Sequence, residues 1–189
     1  MVKNQQQLME GFRDFEPARV TRNGQAYVET NDYIRPELQR QLDLYNQLEQ
    51  INQRARLIRD QIDNLIRRYH DYLIAGRYVA HYRQVGYRKK EGNVFEHVIP
   101  LRTVRNMLLQ GTITVDQALN APTCILSPEK NALLGKLKLT KSTPNAWWFW
   151  QRYQQLDIEI ETWDGEAVDP STWNFARHCE YFKVPYEST

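Results

Sequence analysis

The residues best suited to chemistry in this sequence form a basic, aromatic segment near its middle. Between Arg77 and Lys90 there are five basic side chains and no acid, interleaved with three tyrosines and one histidine. Lysine and arginine neutralise phosphates, and aromatic faces stack on unpaired bases. We therefore expect contact with RNA or single-stranded DNA through Arg77, Tyr78, Tyr82, Arg83, Tyr87, Arg88, Lys89, Lys90, Arg102 and Arg105, the last two at the start of the next predicted helix.

The same segment has a purely structural interpretation. Basic side chains on a sheet edge prevent pairing with other chains, while tyrosines of the strand pack on the core. In a strand, Tyr78 and Tyr82 share one face and Tyr87 falls on the other, unless Gly86 marks a bulge. The sequence leaves both interpretations open.

Charge is unevenly distributed along the 189 residues, although the net charge is only +2. Residues 76–110 carry a net charge of +5, and residues 151–189 carry a net charge of −5. This asymmetry indicates either a basic surface for an anionic partner or pairing between the two halves of the chain.

An acidic run offers a different chemistry. Asp157, Glu159 and Glu161 alternate along a predicted strand and would share one face. Carboxylate oxygens are ligands for Mg²⁺, so a metal-dependent nuclease is a third functional hypothesis. The spacing of these acids matches no recognised catalytic motif. The simpler interpretation is that they lie on the solvent-exposed face of a strand.

The histidines and cysteines form no recognised site. His178 and Cys179 are neighbours, and neighbours on a helix point about 100° apart, which disfavours a nucleophile–base pair. Cys124 belongs to no metal-ligand or disulfide motif, and the sequence contains no Gly-rich phosphate loop. We therefore predict no catalytic residue, no metal site, no cofactor and no small-molecule substrate.

A seven-residue apolar repeat from Leu44 to Tyr72 predicts the element that positions the basic segment. The spacing is typical of a helix that buries a stripe against other helices, and we expect one long amphipathic helix over residues 36–75. Pro36 suits its first turn and Gly76 its end. The seam residues are Leu44, Leu48, Ile51, Ala55, Ile58, Ile62, Leu65, Tyr69 and Tyr72.

The flanks of this repeat argue against a parallel homodimeric coiled coil. Such a pair would set Arg54 against Arg59 of its mate without a compensating acid. We expect intramolecular packing or docking on an acidic protein partner through Arg54, Arg59 and Arg68, with an antiparallel homodimer left open. Trp148 is a further partner candidate, because the predicted helix around it turns its side chain away from Trp147 and Trp150.

Local signals predict the remaining elements. Asn23-Gly24 predicts a first hairpin, and Glu91-Gly92-Asn93 predicts a second one joining residues 77–90 to residues 94–99. Helices are expected over residues 101–110, from the Thr114 capping box to about Pro122, from Thr143-Pro144 through residue 156, and from Asp169-Pro170 onward. Alternating patterns predict strands at residues 135–141 and 157–162.

Together these patterns predict an α+β protein with an N-terminal arm, residues 1–34, and a single domain, residues 35–189. No apolar stretch is long enough for a membrane span, no secretory signal is visible, and we expect a cytoplasmic protein without membrane contact. We expect a non-enzymatic subunit or adaptor that contacts other protein subunits and RNA or single-stranded DNA. The alternative is a purely protein-binding component of a multiprotein or phage-like particle.

Overall fold

The computed structural model describes residues 20–22, 25–27, 31–50, 55–71, 80–86 and 92–186. Helices and a mixed sheet confirm the α+β class. The helices of this part are α1 Asn31–Gln50, α2 Arg56–Tyr69, α3 Leu101–Leu109, α4 Val115–Leu119, α5 Pro128–Lys136, α6 Gln151–Gln154 and α7 Phe175–Tyr181. The strands are β1 Val20–Arg22, β2 Gln25–Tyr27, β3 Tyr82–Gln84, β4 Val94–His97, β5 Thr123–Leu126 and β6 Ile160–Thr162. None of these helices combines the length and apolar character needed to cross a bilayer.

The predicted single helix over residues 36–75 is wrong, because α1 and α2 pack against each other. Arg59 Nη2 of α2 donates to Tyr45 Oη of α1 over 2.7 Å and also contacts Glu49. Fourteen residues of continuous helix would separate positions 45 and 59 by about 21 Å. α1 and α2 are therefore two helices that lie side by side, and residues 51–54 between them lie outside the described residues.

The buried stripe of this helix pair differs from the predicted seam in α1. Ile34, Leu38, Gln41 and Tyr45 are the buried residues there, whereas Leu44 and Leu48 of the repeat are only half-buried. In α2 the stripe is wide and contains Ile62, Leu65, Ile66 and Tyr69. Both stripes join the core of their own chain, so the predicted intramolecular packing of the helix is confirmed.

The main sheet has the strand order β4-β5-β3-β6. β5 lies between β3 and β4, parallel to the first and antiparallel to the second, so the predicted second hairpin is wrong. β6 completes the sheet antiparallel to β3, with Arg83 opposite Glu161. β1 and β2 pair antiparallel, with Arg22 opposite Gln25, whereas the Asn23-Gly24 turn of the first predicted hairpin lies outside the described residues.

The capping box is confirmed, because the Thr114 side chain accepts from Gln117 N–H and the Gln117 side chain accepts from Thr114 N–H. Three other local predictions fail. Residues 137–141 form a turn after α5 instead of a strand, residues 147–150 form turns before the short α6, and α7 begins at Phe175. The buried strand β5 had not been predicted.

The core is organised around one buried cation. Arg152 of α6 is fully buried, and its guanidinium forms an ion pair with Glu96 of β4. It also donates to the Leu139 carbonyl over 2.9 Å and to Tyr153 Oη over 3.2 Å. A buried charge is tolerated only when it is paired and hydrogen-bonded. Arg152 thus fixes α6 against the sheet and against the turn that follows α5.

We expect Arg152→Ala to destabilise the protein by about 3–5 kcal/mol, because it leaves the Glu96 carboxylate half-buried and unpaired. The measurement is urea denaturation followed by tryptophan fluorescence. Arg40→Ala is the matched control, since it removes a surface ion pair with Glu37, and such pairs contribute at most about 1 kcal/mol. Equal losses for the two variants would contradict the structural role of Arg152.

Candidate nucleic-acid interface

The structure removes Tyr82 from the predicted stacking surface. Its side chain is 0% exposed. Its hydroxyl accepts from Trp173 Nε1–H and lies 2.8 Å from His178 Nδ1. Burial raises the pKa of the Tyr82 hydroxyl well above its usual value. A ring enclosed in this way cannot stack on a base, so the assignment of Tyr82 to a nucleic-acid surface is corrected.

Two predicted phosphate contacts are instead partners of acids within the protein. Arg83 Nε donates to Glu161 Oε1 over 2.8 Å, and its guanidinium lies 5.0 Å from the centre of the Trp163 ring. Arg105 Nη1 donates to Asp63 Oδ2 over 2.6 Å. Their charges are therefore largely offset. Arg102, by contrast, is exposed on the first turn of α3.

The other predicted site residues are distributed as follows. Arg59 is partly exposed and donates a hydrogen bond from α2 to Tyr45 of α1, and Arg68 is exposed on α2. Trp148 is half-buried, whereas its neighbour Trp147 is 37% exposed. Outside the described residues lie Arg54, Arg77, Tyr78, Tyr87, Arg88, Lys89 and Lys90.

A cleft of about 320 Å³ opens where α2, the end of β4 and the start of α3 meet the turn after α5. We call it the basic cleft. Its lining residues are Asp63, Arg67, Glu96, His97, Pro100, Leu101, Arg102, Thr140 and Lys141.

Both acids of the basic cleft are already neutralised. Asp63 is paired with Arg105, and Glu96 is paired with Arg152. The remaining charges on the cleft wall are those of Arg67, Arg102 and Lys141, and all three side chains are exposed. Within the described residues none of these three cations forms an ion pair with an acid. The cleft is therefore an electropositive surface built by three separate elements.

The start of α3 adds to this positive potential. The helix begins after Pro100 with no side-chain cap and no acid in its first turn, and Pro100, Leu101 and Arg102 all line the cleft. Helix N-termini carry a partial positive charge and free N–H donors. His97 is held neutral, since burial lowers its pKa to about 2, helped by the nearby charges of His70, Arg67 and Arg152.

Sequence reasoning found Arg102 of this cleft but missed Arg67 and Lys141. The three residues lie 35 and 39 positions apart, on elements whose contact is decided by the tertiary fold. Lys141 was considered only as part of the strand predicted at residues 135–141. The missed signal is that Lys141 ends a run with three lysines and no acid.

The acidic run does not form a metal site in the described part of the chain. Glu161 is engaged by Arg83, while Asp157 and Glu159 are exposed. No group of three histidine, cysteine or acidic side chains among the described residues is arranged to hold a metal ion. The described residues therefore offer no metal-binding geometry that would support the nuclease hypothesis.

The four histidines of the sequence form two close pairs inside the protein. The ring centres of His70 and His97 are 5.1 Å apart, and those of His81 and His178 are 5.0 Å apart. His178 Nε2 lies 2.7 Å from the Asn120 carbonyl, which only accepts, so Nε2 carries the proton and Nδ1 accepts from the Tyr82 hydroxyl. This assignment requires a neutral imidazole.

Comparison with known proteins gave no match: no family model, no curated protein and no solved structure is significantly similar to this chain. The properties of the basic cleft therefore rest on its own residues.

The histidine pairs predict marked sensitivity to acid. Burial lowers the pKa of His70 and His178 to about 4 and that of His81 well below its usual value of 6.5. Below pH 6.5 the unfolded chain takes up protons that the folded chain refuses, so stability falls as the pH falls. Each such histidine costs about 1.4 kcal/mol per pH unit.

We expect the free energy of unfolding to be constant between about pH 7 and pH 8 and to fall steeply between pH 6.5 and pH 5. Urea denaturation at half-unit steps measures this slope. Burial raises the pKa of the Asp63 and Glu96 carboxyls, which therefore act in the opposite direction. His97→Gln should reduce the slope by about one proton. A stability that is independent of pH from 7 to 5 would contradict the buried, neutral state of the histidines.

Proposed function

We propose that this protein is a non-enzymatic interaction subunit of a larger intracellular assembly, and that its basic cleft contacts the phosphate backbone of RNA or single-stranded DNA. The observation that carries the proposal is the convergence of Arg67, Arg102 and Lys141 on one cleft whose two acids are already paired. An uncompensated positive surface attracts polyanions, and phosphate contacts supply most of non-specific nucleic-acid affinity.

The chemistry of the cleft suits phosphate better than an isolated carboxylate. The two arginines present planar donor groups, Lys141 adds a compact ammonium, and the uncapped start of α3 adds backbone donors. Successive phosphates of one strand can reach different cations of the cleft. The expected contact is with the backbone and carries no base specificity.

The preference for unpaired strands comes from the sequence of residues 77–90. Tyr78 and Tyr87 accompany the basic run that ends at Lys90, and unpaired bases stack on such rings. These residues lie outside the described ranges. Their contribution is a separate part of the proposal, and duplex and single-stranded ligands should be compared directly.

The alternative is a purely protein-binding component. The observation that favours it is exposed apolar surface away from the cleft: Leu57 at the start of α2 is 77% exposed and Trp147 is 37% exposed. Large apolar side chains in water often mark contacts with other proteins. This alternative predicts partner capture that persists after nuclease treatment.

We expect a variant carrying Arg67→Gln, Arg102→Gln and Lys141→Gln to bind a labelled 20-nucleotide single strand at least tenfold more weakly in low salt. Loss of three phosphate contacts should also reduce the slope of log affinity against log salt by about 2. Fluorescence anisotropy over a salt series measures both quantities, and circular dichroism checks folding.

The matched control replaces three exposed cations outside the cleft, Arg40, Arg56 and Lys183, with glutamine. It removes the same total charge, so it should retain most of the affinity. Absence of wild-type binding at low salt, or equal weakening by both triple variants, would overturn the assignment of nucleic-acid binding to the cleft.

A further inference from the structure

A second cleft lies at the opposite edge of the sheet. It has a volume of about 500 Å³ and runs along β6, whereas the basic cleft adjoins β4. Three strand spacings, about 14 Å, separate these two edges. We call it the acidic groove. It is lined by Val85, Gln154, Asp157, Ile158, Glu159, Ile160, Glu161, Ala167, Val168 and Pro170.

Backbone contacts fix the shape of the acidic groove. Val85 N–H donates to the Glu159 carbonyl over 3.0 Å, and Val168 N–H donates to the Ile160 carbonyl over 2.9 Å. Asp157 is held at φ 51° after α6, where the next amide bonds back to the Tyr153 carbonyl. The groove is therefore built into the fold and needs no rearrangement to accept a partner.

The groove combines uncompensated negative charge with apolar surface. Glu161 is neutralised by Arg83, but Asp157 and Glu159 are exposed and form no ion pair within the described residues. The ammonium of Lys130 reaches the backbone carbonyl of Asp157, 3.1 Å away. Val85 is 40% exposed at the groove wall. A fitting occupant carries at least two positive charges and an exposed apolar side chain.

The chain itself presents a segment of this kind. The last residue of α5 and the turn that follows it, residues 136–141 and hereafter the lysine turn, contain Lys136, Lys138 and Lys141 and no acid, and all three lysines are exposed. Leu137 between the first two is 50% exposed. Lys138 is held at φ 59°, where Leu139 N–H bonds back to the Leu134 carbonyl, so the turn is a defined protrusion.

We infer that the acidic groove of one copy of this protein binds the lysine turn of a second copy. Lys136 and Lys138 match the charges of Asp157 and Glu159, and Leu137 supplies the apolar contact with the groove wall. Within one copy the two surfaces are separated by α5: Lys130 in its first turn contacts Asp157, and about 9 Å of helix leads from there to Lys136. The contact is therefore between molecules.

Such a contact is heterologous, because it joins two different surfaces. A pair keeps one free turn on one copy and one free groove on the other, so growth continues into a ring or a filament. Charge pairs at a small interface are screened by salt, so the association weakens as ionic strength rises. The inference goes beyond the proposed nucleic-acid contact and does not depend on it.

Sedimentation of nuclease-treated, full-length protein over a concentration series tests the inference. We expect association beyond the dimer at low salt, with at least tenfold weaker association at 0.5 M salt. A groove variant, Asp157→Asn with Glu159→Gln, and a turn variant, Lys136→Gln with Lys138→Gln, should each weaken association at least tenfold. As a control, a variant with Asp60→Asn and Glu180→Gln removes two acids outside the groove and should leave the strength of association unchanged.

Mixing the two variants gives the decisive result. The intact groove of the turn variant can bind the intact turn of the groove variant, but no further contact is available, so a mixture should form dimers and stop there. A wild-type protein that stays monomeric at every concentration and salt would overturn the inference. So would variants that associate like wild type, or a mixture that forms no dimer. Anisotropy with the single strand, measured in parallel, reports separately on the proposed function.

Discussion

The buried ion pair between Arg152 and Glu96 is the constraint on which the rest of the structure depends. Because Arg152 has no access to water, its guanidinium needs polar contacts from within the protein, and these come from β4, from Tyr153 and from the carbonyl of Leu139. One side chain thereby holds the sheet, α6 and the lysine turn in fixed relation. Arg152 also neutralises Glu96, which would otherwise contribute an uncompensated negative charge to the wall of the basic cleft. The ion pair between Arg152 and Glu96 therefore affects both the buried charge of the core and the surface charge of the basic cleft.

The two clefts give the molecule a polarity that its net charge conceals. The positive surface adjoins one edge of the sheet and the negative surface adjoins the other. The sequence already carried this asymmetry as a basic middle and an acidic C-terminal region. Part of this charge asymmetry is cancelled within the fold, because Arg83 forms an ion pair with Glu161. What remains on the surface comes partly from residues outside those two regions, namely Arg67 and the lysine turn.

Elements specified by neighbouring residues were predictable, and elements specified by distant pairing were not. The pairing of β1 with β2 and the Thr114 capping box depend on neighbouring residues, and both are present in the structure. The heptad pattern identified helical residues, but helix periodicity carries no information on where one helix ends and the next begins, so α1 and α2 were merged. β5 was missed because a strand buried on both faces lacks alternation. The role of Tyr82 was misjudged for a related reason: an interior hydrogen-bond partner such as His178, 96 residues away, leaves no local signal.

The order of strands in the sheet has a consequence for how the chain reaches this structure during synthesis. β5 pairs on both sides with strands made before it, and the far edge of β3 stays open until β6 emerges about 35 residues later. A nascent chain that ends before residue 160 exposes that unpaired edge next to unburied aromatic residues of the core. Unpaired edges and exposed apolar surface are what chaperones bind and what drives aggregation. The sheet therefore closes only after residues 160–162 have been synthesised, and this favours a slow folding route.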